Sequence, residues 1–209
     1  PSPEASQGFV AEIRSAFELV RQHRPMFWAI LTYIPFNIAW AGSLMVGLAL
    51  LADGPLDIGA QGYGLLFTAY GVGSVLGNIV IGSMTIKRRI LMLFAGQMAF
   101  GTGIILVGLS SAFWVAALFT FFAALGTPMA DLMLLFMIQS DFPATHVGKV
   151  ISFRFTISNI GYSAGLLLAA YLFQWLDVRT GLIFLGGLIL ITGVTGIMRF
   201  WPHNSGTDL

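Results

Sequence analysis

Two charged residues stand inside stretches that are otherwise apolar. Asp131 lies in the run Ala112–Ser140 and Arg154 in the run Val150–Phe173, joined by the short polar segment Asp141–Lys149. Both fall within about ten residues of that segment. At about 1.5 Å of rise per helical residue, their depths differ by two turns at most, a gap that an arginine side chain spans. A charge in hydrocarbon is costly, so such residues face a bundle interior or a water-filled path and take a partner. The chemistry on offer is an Asp131–Arg154 ion pair. A carboxylate paired in one conformation and free in another would exchange protons as the protein moves, whereas one paired throughout would be structural. Arg154 has a second option, because it lies near one end of its run and could snorkel to the headgroups.

Other polar residues recur at helical spacing. Thr120, Thr127 and Asp131 fall within about 40° of one another at 100° per residue. Tyr33, Asn37 and Trp40 share a face beside Pro35. The run holding Arg154 has two polar faces, one with Ser152, Thr156, Asn159 and Ser163, the other with Arg154, Ser158, Gly161 and Gly165. Stripes of this kind suit a wall facing water or substrate. The same groups could instead bond their own helix or join two helices.

Catalytic patterns fare less well. Gly161-Tyr-Ser163-Ala-Gly165 fits G-x-S-x-G, but that motif requires a strand-to-helix turn, and this copy lies in the middle of an apolar run. A serine nucleophile also needs a base within reach, and His23, His146 and His203 all lie at or beyond the ends of such runs. No cluster of metal-ligating side chains and no cysteine is present, so neither a metal site nor a disulfide framework is expected. Gly71-Val72-Gly73 starts like a dinucleotide fingerprint, but Leu76 holds the third glycine position and no strand precedes it. No cofactor and no catalytic residue are expected.

The elements that must position these residues are legible from composition. The chain has 209 residues, 57% hydrophobic and 9% charged, with mean hydropathy +0.86. A soluble domain carries about 25% charged residues, so this is an integral membrane protein of all-α class. The net charge of +1 is scattered at segment ends, which gives no reason to expect nucleic acid. Six runs have about the length needed to cross about 30 Å of hydrocarbon. They are Met26–Leu51, Tyr63–Met84, Ile90–Leu109, Ala112–Ser140, Val150–Phe173 and Gly181–Met198. Gly126 and Pro128 predict a kink or tilt in the fourth. Before them, Phe9, Ile13, Phe17 and Val20 mark an amphipathic helix, read as lying at a membrane surface. Packing of that helix on protein is the alternative. The predicted organisation is a linker and amphipathic helix over 1–24, a six-span domain over 25–199 and a tail over 200–209. Pro1–Gly8 reads as a linker, as in a piece of a longer chain.

Loop charges predict the orientation. Arg14, Arg21 and Arg24, then Lys87, Arg88 and Arg89, then Lys149, and finally Arg199 fall on alternate links, while the others carry Asp53, Asp57, Asp177 and the single Arg179. Positive-inside bias then puts both termini in the cytoplasm. Two small-residue pairs, Gly73 with Gly77 and Gly161 with Gly165, have the GxxxG spacing that lets membrane helices approach closely.

This layout resembles the C-terminal half of a Major Facilitator Superfamily transporter, its seventh to twelfth helices. Three segments carry the resemblance. Phe17-Glu-Leu-Val-Arg-Gln-His-Arg-Pro25 is similar to the family's central loop entering the second half. Gly82-Ser-Met-Thr-Ile-Lys87-Arg88-Arg89 is similar to a degenerate copy of its glycine-to-basic cytoplasmic loop motif, without the usual Asp-Arg pair. Asp141-Phe-Pro-Ala-Thr-His-Val-Gly148-Lys149-Val150 resembles the link before the eleventh helix in the macrolide-efflux and siderophore-export branch, without the basic residue before the glycine. The resemblance implies half of a secondary transporter in a bacterial plasma membrane, exporting a small molecule, with proton coupling. It also implies a second six-helix half, in the same longer chain, in a separate chain or as a homodimer. It places the stripes of Tyr33, Asn37 and Trp40 and of Thr120, Thr127 and Asp131 on cavity-lining helices; Arg154 and Asn159, on roughly opposite faces of the fifth run, are the further candidates for cavity lining or coupling. The competing expectations are a six-helix protein with a structural or assembly role and, more remotely, an intramembrane hydrolase.

Overall fold

The computed structural model describes residues 3–201, with side chains from Ile13 onward. Helix α1 is Pro3–Gln22, and α2, Arg24–Ala41, continues through a π-helical segment, Gly42–Gly47, into α3, Leu48–Asp53. Then follow α4 (Gly59–Ser83), α5 (Arg89–Leu109), α6 (Phe113–Asp141), α7 (Ala144–Trp175) and α8 (Val178–Phe200). No strand occurs among the described residues. Six helical units are long and apolar enough to cross a membrane, the first being α2 to α3 taken as one, Arg24–Asp53.

Local chemistry sets the ends. Pro25 opens α2, where its missing N–H costs nothing, and His23 Nδ1 accepts from the Met26 N–H at 3.4 Å. Asp177 caps α8 by accepting from the Thr180 N–H at 3.1 Å, and hydrogen bonding from the Thr180 side chain and then its N–H holds the carboxyl below the ordinary value. The turn between α3 and α4 uses Asp57 at φ 50° and Gly59 at φ 58°, the left-handed region that Asp tolerates and Gly enters freely.

One link differs from the sequence reading. The polar stretch Asp141–Lys149 is not a loop, because only Phe142 and Pro143 lie between α6 and α7. Pro143, at φ −56°, is set for a helix start, and nothing in Ala144–Lys149 stops helix propagation. Gly148 and Lys149 therefore sit in the first two turns of α7. The helical run of α6 is unbroken at Pro128. Pro128 takes an i→i−4 bond from the helix interior, leaving the Ala124 carbonyl without that donor.

Helix α5 is the centre of the bundle, packed on α6 and α8; α4 packs on the far side of α6, and α7 on the far side of α2. Small residues set the separations. A Cβ on Gly96 of α5 would lie 2.6 Å from the Gly126 carbonyl oxygen of α6, and one on Gly101 would lie 2.7 Å from that of Gly186 in α8. The two GxxxG pairs work on the outer helices: Gly73 and Gly77 meet Ala124 and Pro128 of α6, and Gly161 and Gly165 meet the backbone of Ile34 and Ile38 of α2.

The apolar stripe of α1 packs on protein. Ala16 and Val20 are buried, and Phe17 meets Phe27 of α2 and Phe153 of α7 edge-on, at ring distances of 6.1 and 6.2 Å. For the described part of the stripe this is the packing alternative, since rings at the ends of two spans offer it an apolar seat. The side chains of Phe9 and Glu12, residues 1–2 of the linker and tail residues 202–209 lie outside what is described.

Four segments meet at one end of the bundle. His23 Nε2 is 3.5 Å from Asp141 Oδ2, Arg89 reaches Ser140, and the Arg199 guanidinium lies 4.7 Å over the Trp28 ring. The basic residues Arg24, Lys87, Arg88, Arg89, Lys149 and Arg199 thus stand at or next to one end of the bundle, the end where α2 begins and α8 finishes.

Candidate functional site

A cavity of about 260 Å³ opens between α2, α6 and α7. Helix α2 supplies Tyr33, Phe36, Asn37 and Trp40, α6 supplies Thr127 and Asp131, and α7 supplies Arg154, Phe155, Ser158, Asn159 and Tyr162. Helical period puts the α2 and α6 residues on single faces, and the close seating of Gly161 on Ile34 holds α7 near α2.

The ion pair lies in this wall. Arg154 Nη2 donates to Asp131 Oδ1, and the Tyr33 hydroxyl donates to the same oxygen at 3.1 Å. The guanidinium lies over the rings of Tyr33 and Phe155, 5.1 and 5.4 Å from their centroids. Arg154 therefore points into the bundle rather than snorkelling. The exposure within the pair is unequal: the Arg154 side chain is 12% exposed and that of Asp131 42%. Asp131 Oδ2 accepts no hydrogen bond among the described residues, while Arg154 Nε and Ser158 Oγ are buried without a partner.

A second network ties three helices beside the pair. Trp40 Nε1 donates to the Tyr70 hydroxyl at 2.9 Å, and that hydroxyl lies 3.1 Å from Thr127 Oγ1. The sequence reading passed over Tyr70, although it shares a helix face with Gly73 and Gly77 at i, i+3 and i+7. It also passed over Phe36, Phe155 and Tyr162, because an aromatic in a span reads first as packing. Asn37 and Asn159 each donate from Nδ2 to the carbonyl one turn back, Tyr33 O at 2.8 Å and Phe155 O at 2.9 Å. Their amide oxygens are left open.

Thr120 departs from its expected place. It is fully buried and donates to the Ala116 carbonyl at 2.8 Å, outside the cavity lining. Periodicity put it on the Asp131 face, but at that level α6 is covered, with Gly73 on Phe121 and Gly103 on Ala123. The Ser152–Ser163 polar face of α7 is divided. Ser152 and Thr156 line a separate hollow of about 370 Å³ with Ile13, Thr145, Lys149 and Phe153, and Ser163 is exposed. The G-x-S-x-G match is continuous helix.

The basic loop motif sits at the charged end. Gly82 is exposed in the last turn of α4, and Lys87 and Arg88 are exposed in the link. Arg89 Nη1 donates to Ser140 Oγ at 2.7 Å and to the Phe136 carbonyl at 3.3 Å, a cation on the C-terminal turn of α6 where the helix dipole favours it. Ser140 donates in turn to Asp141 at 2.7 Å. Gln97 is another polar group the sequence reading missed. Fully buried in α5, it donates to Thr32 at 3.2 Å and leaves its Oε1 unpartnered. A lone amide in an apolar span was the available signal.

No curated protein matches the chain. The family model of the Major Facilitator Superfamily matches residues 26–208, which takes in all six spans but for the first two residues of the first, and every residue of the cavity. With six helices of spanning length and an all-α bundle, the chain is a multi-pass membrane protein and belongs to the Major Facilitator Superfamily, a family of transporters.

Proposed function

We propose that the chain forms one wall of a secondary active transporter that moves a small molecule by alternating access, as proton-coupled efflux. The observation that carries this reading is the Asp131–Arg154 pair in the cavity wall, with its carboxylate on the open side. A charge pair that costs so much in a membrane is placed where it can act, and a carboxylate open to a cavity can trade its partner for a proton. The second wall comes from another six-helix half, in the same polypeptide, in another chain or as a second copy. Such transporters hold substrate between two halves that rock about it. The basic face supports an orientation with both termini in the cytoplasm of a bacterial cell. The segment Asp141–Val150 supports placement with the macrolide and siderophore exporters.

The test is access to the cavity. The chain has no cysteine, so Asn159→Cys gives a single reporter. In the assembled transporter it should react with a membrane-impermeant thiol reagent from the cytoplasmic side in one condition and from the outside in another. Reaction from one side only, under every pH gradient tried, would overturn alternating access. The isolated chain should give no flux in liposomes above empty vesicles unless crosslinking reveals a dimer.

A further inference from the structure

We infer that a hollow between α2 and α8, at the basic end of the bundle, is a site for an anionic phospholipid. The phosphate is held by Arg199 and Arg24, and the acyl chains run down the outer faces of the two helices. The site shares no residue with the cavity that holds Asp131.

The first ground is uncompensated charge. The Arg199 guanidinium lies 4.7 Å over the Trp28 ring and meets no carboxylate among the described residues. Arg24 stands four residues before Trp28, and residues four apart are neighbours on a helix face. It too has no carboxylate partner among the described residues. The acids described at this end are taken, Glu18 by Arg14 and Asp141 by His23. Two guanidiniums without an acid draw a ligand with surplus negative charge. A zwitterionic lipid would bring a cation of its own beside them and lose part of that attraction.

The second ground is the shape and depth of the place. The hollow measures about 230 Å³, with Trp28 and Thr32 of α2, Phe94 of α5, and Gly196, Arg199 and Phe200 of α8 in its lining. Its aromatic wall is closely packed. The Phe94 and Phe200 rings stack with centroids 5.9 Å apart, and a Cβ on Gly196 would collide with the Phe94 ring. Arg24 opens α2 and Arg199 is in the last turn of α8, so both stand at headgroup depth, with Trp28 at the interfacial level that Trp favours. Basic pockets between membrane helices hold the headgroups of anionic lipids. Deeper along the same two helices, Leu31 of α2 and Val194 and Met198 of α8 are apolar and exposed, a surface on which acyl chains can lie. A free phosphate would use the guanidiniums alone, whereas a lipid uses both parts.

The test is native mass spectrometry of the full chain released from detergent micelles. Dioleoylphosphatidylglycerol and dioleoylphosphatidylcholine are supplied in equal amounts, and the lipid retained on the protein is counted. The phosphatidylglycerol should be retained about tenfold over the phosphatidylcholine. Arg199→Gln should lower its retention about fivefold, the factor that about 1 kcal/mol for one basic residue beside anionic lipid gives. Arg24→Gln should lower it by a similar factor. Both side chains are exposed, so both variants should melt like the parent by circular dichroism. Arg88→Gln removes an exposed cation of the same end that lies outside the hollow, and it should leave retention unchanged. Glycerol 3-phosphate at millimolar concentration should not displace the lipid. Three results would each overturn the proposal. Equal retention of the two lipids removes the charge preference. A loss in Arg88→Gln as large as that in Arg199→Gln leaves only a general attraction to a basic end. Displacement by glycerol 3-phosphate leaves a site for free phosphate and not for lipid.

Discussion

Arg154 and Tyr33 meet face on, with the guanidinium carbon 5.1 Å from the ring centroid, and both donate to the same oxygen of Asp131. One carboxylate oxygen thus joins α2, α6 and α7 at the wall of the cavity. The ring of Tyr33 covers the cation while its hydroxyl shares the cation's partner, so the three side chains act as a unit.

That unit predicts unequal single-variant costs. Asp131→Asn leaves a nearly buried guanidinium uncompensated and should cost about 3–5 kcal/mol. Arg154→Gln leaves a carboxylate that already has an open oxygen, and should cost less, about 1–3 kcal/mol. The double variant should cost less than the sum, since contacting residues couple. Unfolding in detergent, followed by circular dichroism, measures all three. Losses that simply add would show that the pair does not couple.

Tyr70→Phe should loosen the tie between α2, α4 and α6. It removes the hydroxyl that bonds Trp40 and Thr127. Interhelical bonds in membrane proteins average about 0.6 kcal/mol, so the expected loss is about 1 kcal/mol with the fold intact. A phenylalanine variant as stable as the parent would remove Tyr70 from the network.

Two glycines on α4 should respond in opposite senses. A Cβ on Gly73 would collide with the Phe121 carbonyl and lie 2.9 Å from Ala124 Cβ, whereas one on Gly71 meets nothing within 4 Å. Gly73→Ala should destabilise by about 1–3 kcal/mol through overpacking. Gly71→Ala should stabilise by about 0.5–1 kcal/mol, because alanine gives up less freedom in a helix. Equal effects at the two positions would mean that α4 does not seat on α6 as described.

Asp177 should make the start of α8 acid-sensitive. Its folded carboxyl is held below the ordinary value of 3.8 by the Thr180 bonds. A depressed carboxyl stabilises the fold above the unfolded value and loses that contribution as pH falls through the folded one. The melting difference between the parent and Asp177→Ala should therefore be present at neutral pH and shrink below about pH 4. A difference that is constant with pH would mean that the cap does not depend on the charge.

Orientation is testable with single cysteines. Arg88→Cys, on the basic face, should be protected from an impermeant thiol reagent in intact cells and labelled after permeabilisation. Asp57→Cys should label from outside. Labelling of Arg88→Cys without permeabilisation would refute cytoplasmic termini.

The sequence by itself determined the six spans, their order and the two charges worth attention. Each of these rests on the cost of placing a side chain in hydrocarbon, which depends on residue type and run length and not on neighbours. The glycine pairs at 73/77 and 161/165 were legible for a similar reason, since their spacing puts both on one helix face. Periodicity ran out where the question became which helix covers a face. It could not tell that α4 and α5 close over α6 at the level of Thr120, that the Tyr70 hydroxyl reaches Trp40 and Thr127, or that Gln97 finds Thr32. Nor could it separate a snorkelling Arg154 from a paired one, because both begin from the same Cα. Only the tertiary structure decided these, through helix separations set by glycines far apart in the chain, Gly96 against Gly126 and Gly101 against Gly186. Those contacts seat α6 and α8 on α5, and the place of α6 beside α2 and α7 is what brings Tyr33 and Arg154 to the Asp131 carboxylate.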